Sequence, residues 1–180
     1  MGVAEERDRL VAALGGFPQH DGFSVACIAG IDAETVVRLL EAELVEVTDE
    51  QAEYWWENPF DGYEDTIGVT TVPGGCVLVQ PWGYDARNSK MLDRLTVGAV
   101  AYAMYANPKS GDQGQIHRDG EVVGWDLHPG GGPYEDDDDA TALLAELYSG
   151  EPVAFCCAYA GLRPTDNRAF KTPDLWLRRS

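Results

Sequence analysis

The sequence predicts a single-domain α+β fold: a mainly antiparallel sheet built from hairpins, with helices packed on it. Three observations point there. The chain has 180 residues, 44% of them hydrophobic and 10% aromatic, which fits one domain with a real core. Apolar runs rich in β-branched and aromatic residues alternate with segments of helical spacing. Two turn signals, Pro73-Gly74-Gly75 and Asp119-Gly120, each join two such runs, and a hairpin imposes antiparallel pairing.

In chain order, residues 3–14 predict a short helix with Leu10, Val11 and Leu14 on one side. GGFPQHDG breaks it. FSVACIAG (23–30) reads as a strand buried on both faces. Asp32 is placed to cap a following helix, AETVVRLLEAEL, whose inward stripe is Val36, Leu39, Leu40 and Leu44. Thr48 and Gln51 form a capping-box pattern that opens a second helix, QAEYWWEN. NPFDGYED is a turn-rich loop. TIGVTTV (66–72) and CVLVQPWG (76–83) make a hairpin, and Pro81 ends its second strand.

DARNSKMLDRLTVG is a helix capped at Asn88 or Ser89, and VAYAMYAN (100–107) a strand. QGQIHRDGEVVGWDLH holds two short strands around Asp119-Gly120. ATALLAELYSG is a helix stopped by Gly150. For VAFCCAYAGL, periodicity does not decide between a strand and a buried helix. The organisation is therefore an N-terminal helix and loop (1–22), a core (23–148), and a C-terminal strand or helix with a tail (149–180).

The formal charge is −18, from 31 acids against 13 bases. Such a surface disfavours direct binding to nucleic acid or an anionic membrane, since both rely on Lys and Arg. It favours a basic protein partner. The acids are uneven: twelve lie between Asp32 and Asp65 and seven between Glu135 and Glu151, while the bases gather at 87–118 and 163–179. The N-terminus lacks the basic start and apolar stretch of a signal peptide. Four cysteines without a CxxC pair, three of them in apolar runs, read as buried free thiols and a cytoplasmic location.

Residues 129–141, PGGGPYEDDDDAT, raise three readings: a metal site, a lure for a basic partner, or a helix entrance. Contiguous aspartates point in different directions, and no glycine turn with a distal glutamate completes a calcium loop. Asp138 and Asp139 are assigned to the helix that follows. Glu135, Asp136 and Asp137 are surplus to it and extend an acidic face. His117 and His128 bracket the second hairpin, a spacing that allows an approach across adjacent strands but is no motif, since a strand histidine is more often structural or exposed; the alternative reading it leaves is a small hydrolase-like enzyme with a His/carboxylate centre. Cys156 and Cys157 lie among apolar neighbours, which raise a thiol's pKa and make it inert. No phosphate-cradling or dinucleotide motif is present, so no cofactor is expected.

The aromatic residues offer interface anchors. Trp55 and Trp56 are adjacent, so on a helix both do not face the core fully. Trp82 and Tyr84 flank Gly83 at a strand end, where loops carry function. Against the plainer reading as core aromatics, these four are the partner-binding candidates, together with Glu135, Asp136 and Asp137.

FSVACIAGIDAETVVRLL, TIGVTTVPGGCVLVQPWGY and KMLDRLTVGAVAYAMYAN resemble domain-of-unknown-function family 6461, small proteins found mostly in actinobacteria. The resemblance spans about residues 23–148, with Asn107 at the family's strand-ending asparagine and DGEVVGWDLHP as its following hairpin. It implies a fold and no established activity. The tryptophan pair, the DDDD run and the long C-terminal segment depart from the family pattern. The functional expectation is an acidic cytosolic binding or regulatory module docking on a basic partner, as an immunity or defence-linked protein does.

Overall fold

The computed structural model describes residues 1–15, 22–58 and 64–178. The loops read at GGFPQHDG and NPFDGYED, with His20, lie largely outside the described residues, as do Arg179 and Ser180. The chain is a single α+β domain around one eight-stranded antiparallel sheet. Its elements are α1 (Val3–Ala13), β1 (Phe23–Ala29), α2 (Ala33–Leu40), β2 (Glu43–Val45), α3 (Asp49–Glu57), β3 (Thr66–Val72), β4 (Gly75–Pro81), α4 (Ser89–Leu95), β5 (Val100–Ala106), β6 (Gln113–Arg118), β7 (Glu121–Asp126), α5 (Asp139–Leu147), α6 (Pro152–Tyr159), α7 (Arg168–Lys171) and β8 (Leu175–Arg178). The strand order is β2-β8-β3-β4-β1-β5-β6-β7.

β1 sits inside the sheet, between β4 and β5, with both of its faces covered. Val25 and Cys27 face one layer, formed by α1, α3, α5, α6 and α7. Ala26 and Ile28 face the other, formed by α2 and α4. That double cover explains the uninterrupted apolar character of β1, β4 and the core of β5, because neither face of these strands meets water. Among the described residues no helix is long and apolar enough to cross a membrane.

The caps fall where local chemistry puts them. Asp32 accepts from the Thr35 N–H at the start of α2, and Asn88 from the Met91 N–H at the start of α4. Thr48 and Gln51 close a complete capping box on α3. The Asp119-Gly120 turn has both residues at positive φ, 52° and 82°, the geometry that a two-residue hairpin with right-handed twist demands.

One expectation changes and two open points close. α2 ends at Leu40, because Glu41 takes a left-handed conformation (φ 52°) and closes the helix. Leu44 therefore lies in β2, pairs with Leu177 and is exposed, and is not part of an inward helical stripe. The ambiguous VAFCCAYAGL segment is the helix α6: Pro152 occupies its first turn, where a missing N–H costs nothing. Residues 153–158 are all buried where α6 packs against β1, β5 and α5. The C-terminal segment is no appendage, since β8 inserts between β2 and β3.

Candidate functional site

The site begins with the last strand of the sheet. β7 pairs with β6 on one side and with no strand on the other, among the described residues. A strand edge with unpaired backbone groups is a template for another chain, and proteins blunt such edges with Lys, Pro, bulges or charge. β7 has a bulge at Val123, where the register slips between Ile116 and His117, and Glu121 at its start, but no Lys or Pro. Along it Val123, Trp125 and Leu127 are 55%, 65% and 65% exposed. Trp125 stands opposite Gln115, so it shares the face over which α4 packs. Ser89 and Asp93 of α4 reach Gln115 and His117. Trp125, one strand further out, is left open to solvent.

The other face of β7 is anchored by Asp126. Its Oδ2 accepts from the Tyr102 hydroxyl at 2.5 Å, and its Oδ1 accepts from the Tyr134 hydroxyl at 2.8 Å and the His128 N–H at 2.9 Å. Gly114 makes the first bond feasible: a Cβ there would stand 2.4 Å from the Tyr102 oxygen. The tyrosine thus passes over β6 and ties β5, deep in the sheet, to the edge strand. Burial, with Cys156 and the Asp126 bond adding, pushes the Tyr102 hydroxyl far above its ordinary value, so it stays a donor. The cavity beside this cluster holds only about 60 Å³, far below the several hundred Å³ of a ligand pocket.

The acidic run follows directly. Asp138 caps α5 by accepting from the Thr141 N–H, and that bond holds its carboxyl below the usual range. Asp139 opens the helix. Asp137 differs from the expectation: it is half-buried and accepts from the Tyr134 N–H at 2.9 Å, so it fixes the turn that brings Tyr134 onto Asp126. Glu135 and Asp136 alone among the three are fully exposed surplus charge.

Trp55 and Trp56 are corrected outright, for both are buried. Adjacent helical residues point about 100° apart, and α3 lies in a corner where both directions are covered. Trp55 meets Trp176 at 6.2 Å between ring centroids, while Trp56 meets Phe170 at 5.8 Å and Phe23 at 6.3 Å. Trp82 and Tyr84 are exposed. The Trp82 N–H donates to the Gly22 carbonyl, and Tyr84 lies on the Tyr105 ring at 4.0 Å. Phe23 pairs with both Pro81 and Ala106, and Gly114 with Asp126. Trp82, Tyr84 and the acidic run therefore share one end of the sheet. Trp82 follows β4, four strand spacings from β7, or about 19 Å, while Tyr84 lies over Tyr105 of β5, two spacings from it.

The histidines do not meet. His117 is buried near the β6–β7 turn, with Nδ1 2.9 Å from Asp93 Oδ1 and Nε2 3.0 Å from Gln115 Oε1. It pairs with Val122, and His128 lies six residues further on, about 20 Å away at ~3.3 Å per residue. The cysteines stay buried as thiols. Cys27 Sγ lies 3.5 Å from Cys157 Sγ, and that contact with burial pushes the Cys27 thiol up. Among the described residues no three His, Cys, Asp or Glu side chains gather as a metal site.

His117 gives a pH prediction. Burial pulls its imidazole below the ordinary value, and Asp93 only partly opposes this. The folded protein holds the ring neutral, while the unfolded chain protonates it near 6.5. The unfolded state then binds the extra proton, so stability is lost as pH falls below about 6.5. An NMR titration should place the His117 midpoint under that value, and Asp93→Asn should move it lower still. A midpoint above 6.5 would refute the assignment.

Exposed apolar residues outside the sequence-derived candidates are Val123, Trp125 and Leu127. Their signal was present as apolar residues at period two beside a strong hairpin turn. Compared with protein-family models, curated proteins and solved structures, the chain matches none of them.

Proposed function

We propose that the protein is an acidic binding module that docks an extended, basic segment of a partner protein along β7. One observation carries this: an edge strand with no partner on its outer side among the described residues, with Val123 and Trp125 on it and Leu127 just past its end open to solvent. Strand addition draws affinity from main-chain hydrogen bonds and specificity from alternate side chains. Trp125 and Leu127, two residues apart, would take the apolar positions of the added strand. Its basic positions have Glu121 at one end of β7 and Glu135 and Asp136 beyond the other. Charge also argues against a second copy as the occupant, since pairing two chains of −18 opposes association.

A regulatory, immunity or defence-linked role in a reducing cytoplasm is the setting we assign to such a module. Its support is the four cysteines, all free and buried. Membership of family 6461 belongs to the same proposal. It is supported by the order strand, helix, hairpin, helix, strand across the residues that carry the resemblance.

The test is selection from a displayed library of ten-residue peptides, followed by NMR mapping and titration of the winners. Enriched peptides should alternate Lys or Arg with Val, Ile or Phe and shift the amides of β7. Trp125→Asp should weaken them by about thirtyfold, the effect of losing a central anchor worth ~2 kcal/mol. Added salt should weaken them further. Winners that map elsewhere, or that ignore Trp125→Asp, reject the docking edge. A concentration-dependent dimer lost with the same substitution would reassign the edge to self-pairing.

A further inference from the structure

A second site lies on the face of the sheet that carries α2 and α4. A cleft of about 360 Å³ opens between those helices and strands β3 and β8. Its floor is apolar, made by Leu40, Ile67, Met91 and Leu177. Lys90, Arg94 and Arg178 stand around it, and among the described residues no carboxyl lines it. In a chain with 31 acids and 13 bases, three bases and no acid in one small cleft run against the whole surface. The volume falls at the lower end of the range for small-molecule pockets, and the make-up, apolar walls with a few convergent polar groups, is theirs also.

The cations are not consumed by structure. Arg94 donates to the Leu39 carbonyl and lies 3.9 Å from Glu41, and Arg178 lies 3.5 Å from Glu43. A guanidinium has five N–H donors, so each retains bonds to give. Lys90, exposed in the first turn of α4, has no ion pair among the described residues. An anionic head held by Lys90 and the two arginines would leave its apolar body over the half-buried Leu40 and Met91, with the buried Ile67 and Leu177 beneath them.

We propose that this cleft binds a small amphipathic organic anion, with a single carboxylate-like head and an apolar tail. An acidic peptide would satisfy the cations but leave the apolar floor unfilled. The cleft opens from α4 toward α2, β3 and β8, and shares no residue with the β7 edge.

Decanoate is a suitable probe, with decanol as its uncharged twin, read by amide chemical shifts on the full chain. Decanoate should shift Ile67, Met91 and Leu177, and decanol should bind at least about tenfold more weakly. Lys90→Glu should weaken decanoate by about tenfold or more, while Lys109→Glu, the same charge change in the β5–β6 loop, should not. Both lysines are exposed, so both variants should fold, and matching thermal melts check this. Met91→Glu, which places a carboxylate in the floor, gives a second route to the same loss. Equal binding of decanol, shifts confined to other surfaces, equal loss in Lys109→Glu, or stronger competition by an acidic peptide would each overturn the proposal.

Discussion

Trp55→Ala is expected to destabilise the protein by about 3–5 kcal/mol, the range for removing a large aromatic from a core that does not collapse around the hole. Trp55 is fully buried and packs edge-on against Trp176 of β8 and Trp56 beside it. Its six-membered ring lies over Gly68, where a Cβ would stand 3.0 Å from Cη2 and 2.5 Å from the Pro173 ring. The slot is bounded by backbone and a proline ring, so neighbouring side chains have little freedom to fill the void. A loss of this size should lower Tm by roughly 10 °C in a chain this long. Trp55→Phe should cost much less, because Trp55 Nε1 has no hydrogen-bond partner among the described residues, leaving only area to lose. Trp125→Ala, at 65% exposure, should change stability by no more than about 0.5 kcal/mol. Chemical denaturation followed by circular dichroism separates the three. A Trp55→Ala loss under about 1 kcal/mol would contradict the packing.

Asp126→Ala should cost about 3 kcal/mol, chiefly because it strands the Tyr102 hydroxyl in the core and leaves the Tyr134 hydroxyl half-covered. Tyr102→Phe alone should cost less, and the double variant should recover part of the Asp126→Ala loss, since removing both partners is milder than orphaning one. A double variant no better than Asp126→Ala would disprove the coupling. The same cluster gives an alkaline signature. Tyr102 has its folded value raised, so its contribution is complete below about 10, the unfolded tyrosine value, and is lost as pH rises beyond it. Asp126→Ala should keep that alkaline loss, because burial, the largest cause, still holds the Tyr102 hydroxyl protonated in the folded chain. It should also loosen β7, seen as faster amide exchange at Trp125 and Leu127.

The parts of the fold legible in the sequence were those set by near neighbours. The caps at Asp32, Thr48, Asn88 and Asp138, and the turns at Pro73-Gly74-Gly75 and Asp119-Gly120, depend on residues two to four apart. The doubly covered strands were legible because burial on both faces leaves an unbroken apolar run. β2 and β8 were not: each has three or four residues, and Glu43 finds Arg178 across 135 positions. Trp55 and Trp56 misled because the corner that hides both is made by β8 and α7, distant in sequence. The stripe Val123, Trp125, Leu127 was visible as a pattern, but its meaning was not. Only the topology decides whether an apolar stripe meets a neighbouring layer or stands at the margin.

The place of β8 has a consequence for how the chain is made. β2 and β3 are both finished by residue 72, yet the strand between them, β8, comes after the other seven strands of the sheet. At about 5–20 residues per second, the 132 residues from Val45 to Leu177 keep β2 waiting roughly 7–26 s before Leu177 reaches Leu44. During that interval β3 offers an open edge, and Trp55 lacks the ring of Trp176. The nascent chain is therefore most vulnerable to a wrong pairing on the side of the sheet opposite β7, and a chaperone that shields β3 should raise its yield.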